Sequence, residues 1–285
     1  MPELPETPVG ERVDDVVDWL TDNVSWLFDL VSSVLEFLID NIVSALQWPD
    51  PLIFIPLLAL FGWWIRSIGF GVFTLFAFGL VESMRHWDAT MSSLGLVLVA
   101  SLVAVAIGVP VGIATARNAT VSSIVRPILD LMQTMPAFVY LVPAIVFFGL
   151  GTVPGVVATL VFSMPPAVRL TELGIRQVDA EVVEAGHAFG SPPSQILTKI
   201  QLPLALPTIM AGINQVIMLA LSMVVIAGMV GAGGLGATVF RGITTLNVGL
   251  GVEGGLAVVV LAIFLDRITA AVGDRASQYR DKTAA

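Results

Sequence analysis

Residues 207–236 read PTIMAGINQVIMLALSMVVIAGMVGAGGLG, and the last six, Gly231 to Gly236, match the spacing G-x-G-x-x-G. That spacing marks a dinucleotide site only when a short strand leads into it and a helix N-terminus facing a pyrophosphate follows. The approach here is different, because no residue from Ile200 to Phe240, a run of 41, carries a formal charge. Thr208–Val230 alone would make a helix of about 35 Å at roughly 1.5 Å per residue, the thickness of a bilayer's hydrocarbon core. A buried strand does not continue for 23 residues, so the stretch reads as a membrane helix whose end is rich in glycine.

Composition agrees. The chain is 56% hydrophobic and 12% charged over 285 residues, and its uncharged stretches are too many and too long for one water-soluble core. It has no cysteine, and its two histidines, His86 and His187, lie 101 residues apart, so neither a disulfide scaffold nor a metal site is expected. The opening MPELPETPVGERVDD is acidic and proline-bearing where a cleavable signal would be basic and then apolar, so insertion is expected to rely on internal helices.

With charges, prolines and glycines as punctuation, spans are expected near residues 49–65, 67–82, 90–114, 127–149, 153–170, 207–230 and 247–266. The first two hold about 15 uncharged residues each and are open to reading as a re-entrant or tilted pair. If the loop 171–206 is cytoplasmic, the inner side holds ten basic residues, Arg66, Arg117, Arg126, Arg169, Arg176, Lys199, Arg267, Arg275, Arg280 and Lys282, against Arg12, Arg85 and Arg241 outside. This positive-inside bias puts the N-terminus outside and the C-terminus in the cytoplasm of a multi-pass plasma-membrane protein.

Residues 1–48 differ from the rest. Val13, Val16, Val17, Leu20, Val24, Leu27, Val31, Val34, Leu38 and Ile42 recur at three and four, with Asp14, Asp18, Asp22, Asp29, Glu36 and Asp40 opposite. The pattern predicts an extracytoplasmic amphipathic helix, either strapped across the outer ends of the spans or docking a partner. The net charge of −9 is also what a high-salt habitat would select.

An energy source is missing from the chain. There is no G-x-x-x-x-G-K-[ST], and neither of the two lysines follows a glycine-rich loop. A secondary carrier would place carboxylates or histidines near mid-membrane, whereas in the later spans only Glu253 comes near, and it falls toward an outer end. No G-x-S-x-G or inward pair of acids supports an enzyme. Transport, if active, therefore draws on a partner.

The longest loop reads VDAEVVEAGHAFGSPPSQILTKIQLPLALPTI over residues 178–209. Its periodic apolar residues, the helix-ending Gly190 and the SPP restart predict two short helices in an L. It resembles the cytoplasmic signature of ABC importer permeases, E-A-A, three residues, G, nine residues, I-x-L-P. Here Glu184, Ala185, Gly186, Gly190, Ile200, Leu202 and Pro203 fill it, with Gly186 in place of the usual third alanine. That exchange is expected to loosen the turn by up to about 1 kcal/mol. The surroundings, including PAFVYLVPAIVFFGLGTVPGVVATLVFSMPPAVRLTELGIRQV and LAIFLDRIT, are similar to the branch that imports glycine betaine, proline and related quaternary amines, over residues 88–272.

The resemblance implies an all-α polytopic fold of about seven transmembrane helices with a five-helix, MetI-like type I core over 88–272. Two accessory helices (49–83) would precede the core, the coupling loop 171–206 would interrupt it, and a cytoplasmic tail (273–285) would follow. It implies a second permease copy, two ABC ATPases that hold the ATP and Mg, an extracytoplasmic binding protein, no cofactor or metal in this chain and no nucleic acid. ATP would drive alternating access through the paired 178–203 elbows. Choline, carnitine, methionine or an oxyanion as solute, or an osmotically gated channel in place of a pump, are the alternatives.

Polar residues in apolar spans need partners or water. Gln133, Thr134, Asn214, Gln215 and Ser222, with Met218 between them, are candidates for the translocation path, hydrogen bonding between helices being the other use. Gly231, Gly233, Gly234 and Gly236 are candidates for an outer gate where two copies approach, with Arg241 facing an acidic patch on the binding protein. A plain helix cap and turn is the alternative there.

Overall fold

The computed structural model describes residues 9–283; the first eight residues of the N-terminal segment and the last two of the tail lie outside it. Every described element is helical. Helix α1 (Val9–Gln47) carries a wide apolar arc, and only part of that arc is packed. Leu35 and Ile39 are buried, while Trp19 (60% exposed), Trp26 (64%) and Phe37 (67%) stand on an open flank. The expected stripe is divided accordingly: Val17, Leu20, Val24, Val31, Leu38 and Ile42 turn at least partly inward, and Val13, Val16, Leu27 and Val34 do not.

Helices α2 (Pro51–Ile65) and α3 (Ile68–Ser83) form a tight hairpin. Asp50 caps α2 by accepting from Leu52 N at 2.9 Å, with Pro51 in the first turn, and Ser67 caps α3 through Phe70 N at 3.3 Å. At 15 and 16 residues they reach about 23 Å, short of the roughly 30 Å hydrocarbon core. The two approach at Gly71, where an added Cβ would meet Ala59 O and Trp63 Cβ, each at 2.8 Å.

Helix α4 (Trp87–Arg117) is the axis of the molecule. Three of its glycines each let another helix in. Gly95 admits Val43 of α1, and Gln47 at the end of α1 donates to Ser92 Oγ at 3.0 Å. Gly108 faces Ala167, and Gly112 faces Thr171 and Val168 O.

Helix α5 (Ala119–Thr134), capped by Asn118 through Thr120 N at 2.9 Å, is followed by a 3-10 turn (Ala137–Tyr140) and α6 (Leu141–Phe148). Here the structure departs from a single span over 127–149, because the chain turns by 110° at Met135–Pro136. The residue before a proline is pushed out of the α region, and Met135 sits at ψ 136. Phe28 of α1 stacks on Phe147 at 4.5 Å and meets Phe148 edge-on at 5.6 Å, so α1 reaches across to the end of α6.

Helices α7 (Thr152–Ser163) and α8 (Pro165–Arg176) together make one span of 25 residues interrupted at Met164. After short helices α9 (Ala180–Ala188) and α10 (Pro193–Gln195) and a π-helical segment (Ile196–Gln201), α11 (Leu202–Ala227) returns along α8. Gly174 against Thr208 Cβ (3.0 Å from an added Cβ) and Gly212 against Pro166 O (3.1 Å) set that register. Helix α12 (Gly234–Thr244), absent from the sequence expectation, folds back on α11, and α13 (Val248–Thr283) closes the bundle. The helix continues past the expected residue 266, and Arg275 on it lies 5.2 Å over the Trp64 ring and donates to Trp64 O at 2.6 Å.

Among the described residues four helices are long and apolar enough to cross a bilayer, the bent α5–α6 pair would add a fifth only if it counts as one span, and α2 and α3 are shorter apolar helices. The largest buried side chains, among them Phe78, Met91, Leu96, Met223, Leu235 and Leu261, come from α3, α4, α11, α12 and α13. The main core thus gathers around α4, while the outer faces of α5, α6 and α11 remain open.

Candidate functional site

The elbow after α8 is built from local rules. Asp179 caps α9, accepting from Glu181 N at 2.9 Å. At the other end Gly190 takes φ +76, its N–H donates to His187 O at 2.9 Å, and Ser191 N donates to Gly186 O at 3.1 Å. That is a helix stop which needs a left-handed residue. The chain then restarts on Pro192-Pro193 and runs through Ile196–Gln201 into α11.

Gly186 is the contact between the two arms. It is buried, and an added Cβ would stand 2.8 Å from Ile200 Cδ1. The neighbour is the far end of a flexible side chain, so the missing methyl group gives a closer approach of the arms rather than only a looser turn. Leu197 and Ile196 are buried beneath, Leu202 is half-buried against Ile175, and Glu184, Ala185, Gly190 and Pro203 are exposed. Phe189, at 91% exposed, projects from the elbow with nothing over it.

The polar residues of α11 divide between two uses. Asn214 turns to α13, where its Nδ2 donates to Asp266 Oδ1 at 3.2 Å and its Oδ1 accepts from Thr269. Gln215 and Ser222 lie on the open side with Met218 half-buried between them, and Ser222 Oγ donates to Met218 O at 3.0 Å. Gln133 and Thr134 are exposed at the end of α5. Hydrogen bonding between helices therefore accounts for Asn214 alone among these positions. Gln215 and Ser222 leave an uncovered polar strip on α11, an apolar span, which lipid alone would not favour.

The glycines after α11 make close approaches within the chain. Gly231 (φ +90), Gly233 (+78) and Gly234 (+63) turn the backbone. Ala232 N returns to Ala227 O at 3.2 Å, and Ser93 Oγ of α4 accepts from Leu235 N at 2.8 Å. Gly236 lies directly on Val224 O, and Gly228 on the backbone of Gly236 and Ala237. Arg241 sits on the exposed side of α12. A helix does follow the fingerprint, but the element that enters it is α11, not a strand.

Residues 108–278, which hold the elbow, the α11 strip and the glycine turn, match the model of the family described as "Binding-protein-dependent transport system inner membrane component". The chain belongs to that family. This permease is 50% identical over 269 residues to the glycine betaine transport system permease protein OpuAB of Bacillus subtilis, covering 94% of this chain and 95% of that one. It is 48% identical to the glycine betaine/carnitine transport permease protein GbuB of Listeria monocytogenes (97% and 99% covered) and 47% identical to the glycine betaine/proline betaine permease ProW of Escherichia coli (93% and 75%). Among solved structures it is similar in fold to an inward-facing MetNI methionine ABC transporter, with TM-score 0.60 at 24% identity over 65% of this chain and 92% of that one. The permease is a multi-pass inner-membrane subunit of an ABC importer.

Two features of the permease are not legible in its sequence. Phe189 was not separable from core phenylalanines, because nothing in AGHAFGS says which side of an L is covered. Glu172, in a span-end segment read as a source of positive charge, is buried. It accepts from Ser122 Oγ at 2.9 Å and pairs with Arg126 at 2.9 Å and Arg176 at 3.0 Å, tying α5 to α8, with Arg169 and Asp130 paired beside it. The spacing of Glu172 and Arg176 at i and i+4 was a visible signal for half of that clamp.

Proposed function

We propose that this permease carries glycine betaine, proline betaine or a related quaternary-amine osmoprotectant inward, as one of two copies over a pair of partner ATPases that bind ATP and Mg. The observation that carries the reading is the elbow. A signature-bearing pair of short helices meets closely at Gly186 and Ile200 and presents Glu184, Ala185 and Phe189 with nothing over them. An exposed aromatic at the centre of such a surface is the usual anchor of a protein interface. The names borne by relatives at 47–50% identity over more than nine-tenths of the chain support the solute class.

The distribution of basic residues supports a cytoplasmic elbow and C-terminus with the N-terminus outside. An extracytoplasmic binding protein would deliver the solute near Arg241 and the glycine turn. The uncovered strip of Gln215, Met218 and Ser222, with Gln133 and Thr134, would face the second copy and the path.

The test is reconstitution of the full complex in vesicles with binding protein outside and ATP inside. Glycine betaine should accumulate, ionophores should not prevent it, and Phe189→Ser or Gly190→Asp should abolish uptake and stimulated ATPase while the permease still inserts. Accumulation driven by an ion gradient without ATP, or unchanged uptake in both variants, would refute the proposal.

A further inference from the structure

Halfway along the α7–α8 span, Pro165 and Pro166 occupy the two positions whose N–H groups would bond to the carbonyls of Val161 and Phe162. Proline has no N–H, so both carbonyls lose their helical partner at mid-membrane depth. No other hydrogen bond among the described side chains reaches them, and the fully buried Ser163 hydroxyl beside them is also without a partner. Unpaired backbone in a span is tolerated where it is buried in protein or lines a wet cavity; Pro165 and Pro166 are buried, and Phe162 and Met164 at the break are only half-buried.

The break is flanked by aromatic rings. Phe162 lies 6.4 Å from Tyr140, with the two rings inclined at 55°, and both are half-buried. Tyr140 Oη donates to Met132 O at 2.8 Å, which holds its ring in place where the chain bends into α6. Gly155 faces Ala227 and Pro166 O faces Gly212, so the antiparallel register brings the region of Met218 level with Phe162. Tyr140, Phe162 and Ile226 pack against one cluster that includes the buried Met223 of α11, the neighbour in sequence of the exposed Ser222.

A trimethylammonium group carries a diffuse positive charge and no N–H. It is stabilised by aromatic faces and by carbonyl oxygens, and it leaves no donor unsatisfied in an apolar site. We infer that the permease itself holds a transient site for a quaternary ammonium headgroup, formed by Tyr140 and Phe162 with the carbonyls freed at the Pro165-Pro166 break, and opening on Ser222. This rests on the reading of the permease as a quaternary-amine importer. It assigns to the membrane subunit a cation-selective station midway along the path.

The natural absence of cysteine makes the test direct. Ser222→Cys in the nucleotide-free complex is treated with two methanethiosulfonates of similar length, one ending in trimethylammonium and one neutral, and modification of this chain is followed by intact mass. Relative to the rate ratio on a free thiol, the cationic reagent should be favoured at least about fivefold, and glycine betaine should slow it. Adding Phe162→Leu should return the ratio to the free-thiol value, whereas Phe162→Tyr should keep it.

A ratio insensitive to Phe162→Leu, or a Ser222→Cys thiol that reacts with neither reagent, would overturn the inference. Betaine uptake by the wild-type complex separates this result from the solute assignment. Uptake without cationic preference rejects the station and leaves the importer standing, while preference without betaine uptake keeps a quaternary ammonium site and rejects betaine as the solute.

Discussion

At the scale of single residues, glycine serves two unrelated purposes in the same six-residue turn. Gly233 has φ +78 and nothing within 4 Å of an added Cβ, so its constraint is conformational. Gly236 has ordinary helical backbone, and a side chain there would strike Val224 O and Val225. Gly233→Ala should therefore cost about 1 kcal/mol through the left-handed backbone alone. Gly236→Val should force α12 off α11 at a cost of about 3 kcal/mol or more, read as a lower unfolding midpoint of the detergent-solubilised complex. Equal midpoints for the two variants would contradict this assignment. The sequence showed four glycines in a row of six positions but could not rank them, since close approach depends on which helix returns.

At the scale of elements, α1 is joined to the bundle mainly by its second half. Leu35 and Ile39 are buried, and Val43 lies so close to Gly95 that an added Cβ there would be 2.5 Å from Val43 Cγ2. Gly95→Val should lift this end of α1 and expose its inner face to limited proteolysis, with a loss of about 2 kcal/mol in stability, while leaving the elbow intact. Unchanged cleavage would mean that α1 is held by other contacts. Periodicity pointed to a helix in this stretch, and α1 runs over Val9–Gln47. It did not say which part of the wide arc would be covered, because Trp19 and Phe37 are as apolar as the buried Leu35 and Ile39. The broken α5–α6 span was likewise only half legible. Apolar content pointed to one crossing, and Pro136 held the local instruction for the turn.

At the scale of the whole molecule, a single chain leaves the α11 strip and the ends of α5 uncovered. Polar side chains in a hydrophobic span are best satisfied by another protein surface or a wet path. Gln215→Cys, in a chain with no other thiol, should form a covalent pair of permease chains with a short bis-maleimide in the assembled complex. Failure to cross-link, with reaction instead toward a lipid-soluble maleimide, would turn this face outward to lipid.

The sequence by itself determined that the chain is a helical membrane protein, since a 41-residue uncharged run and its companions can satisfy their backbone in lipid only as helices. It also determined the elbow and the family resemblance, because a cap, a left-handed stop and a proline restart are written in neighbouring residues. Tertiary structure alone decided that Asn214 belongs to α13 while Gln215 and Ser222 stay open, and that Glu172 is buried between two arginines. It also brought Tyr140 and Phe162, 22 positions apart, to one break in the backbone. Those outcomes depend on the rotation and register of packed helices. Small residues on facing surfaces set these by how closely they let two backbones approach, and no single segment carries that information.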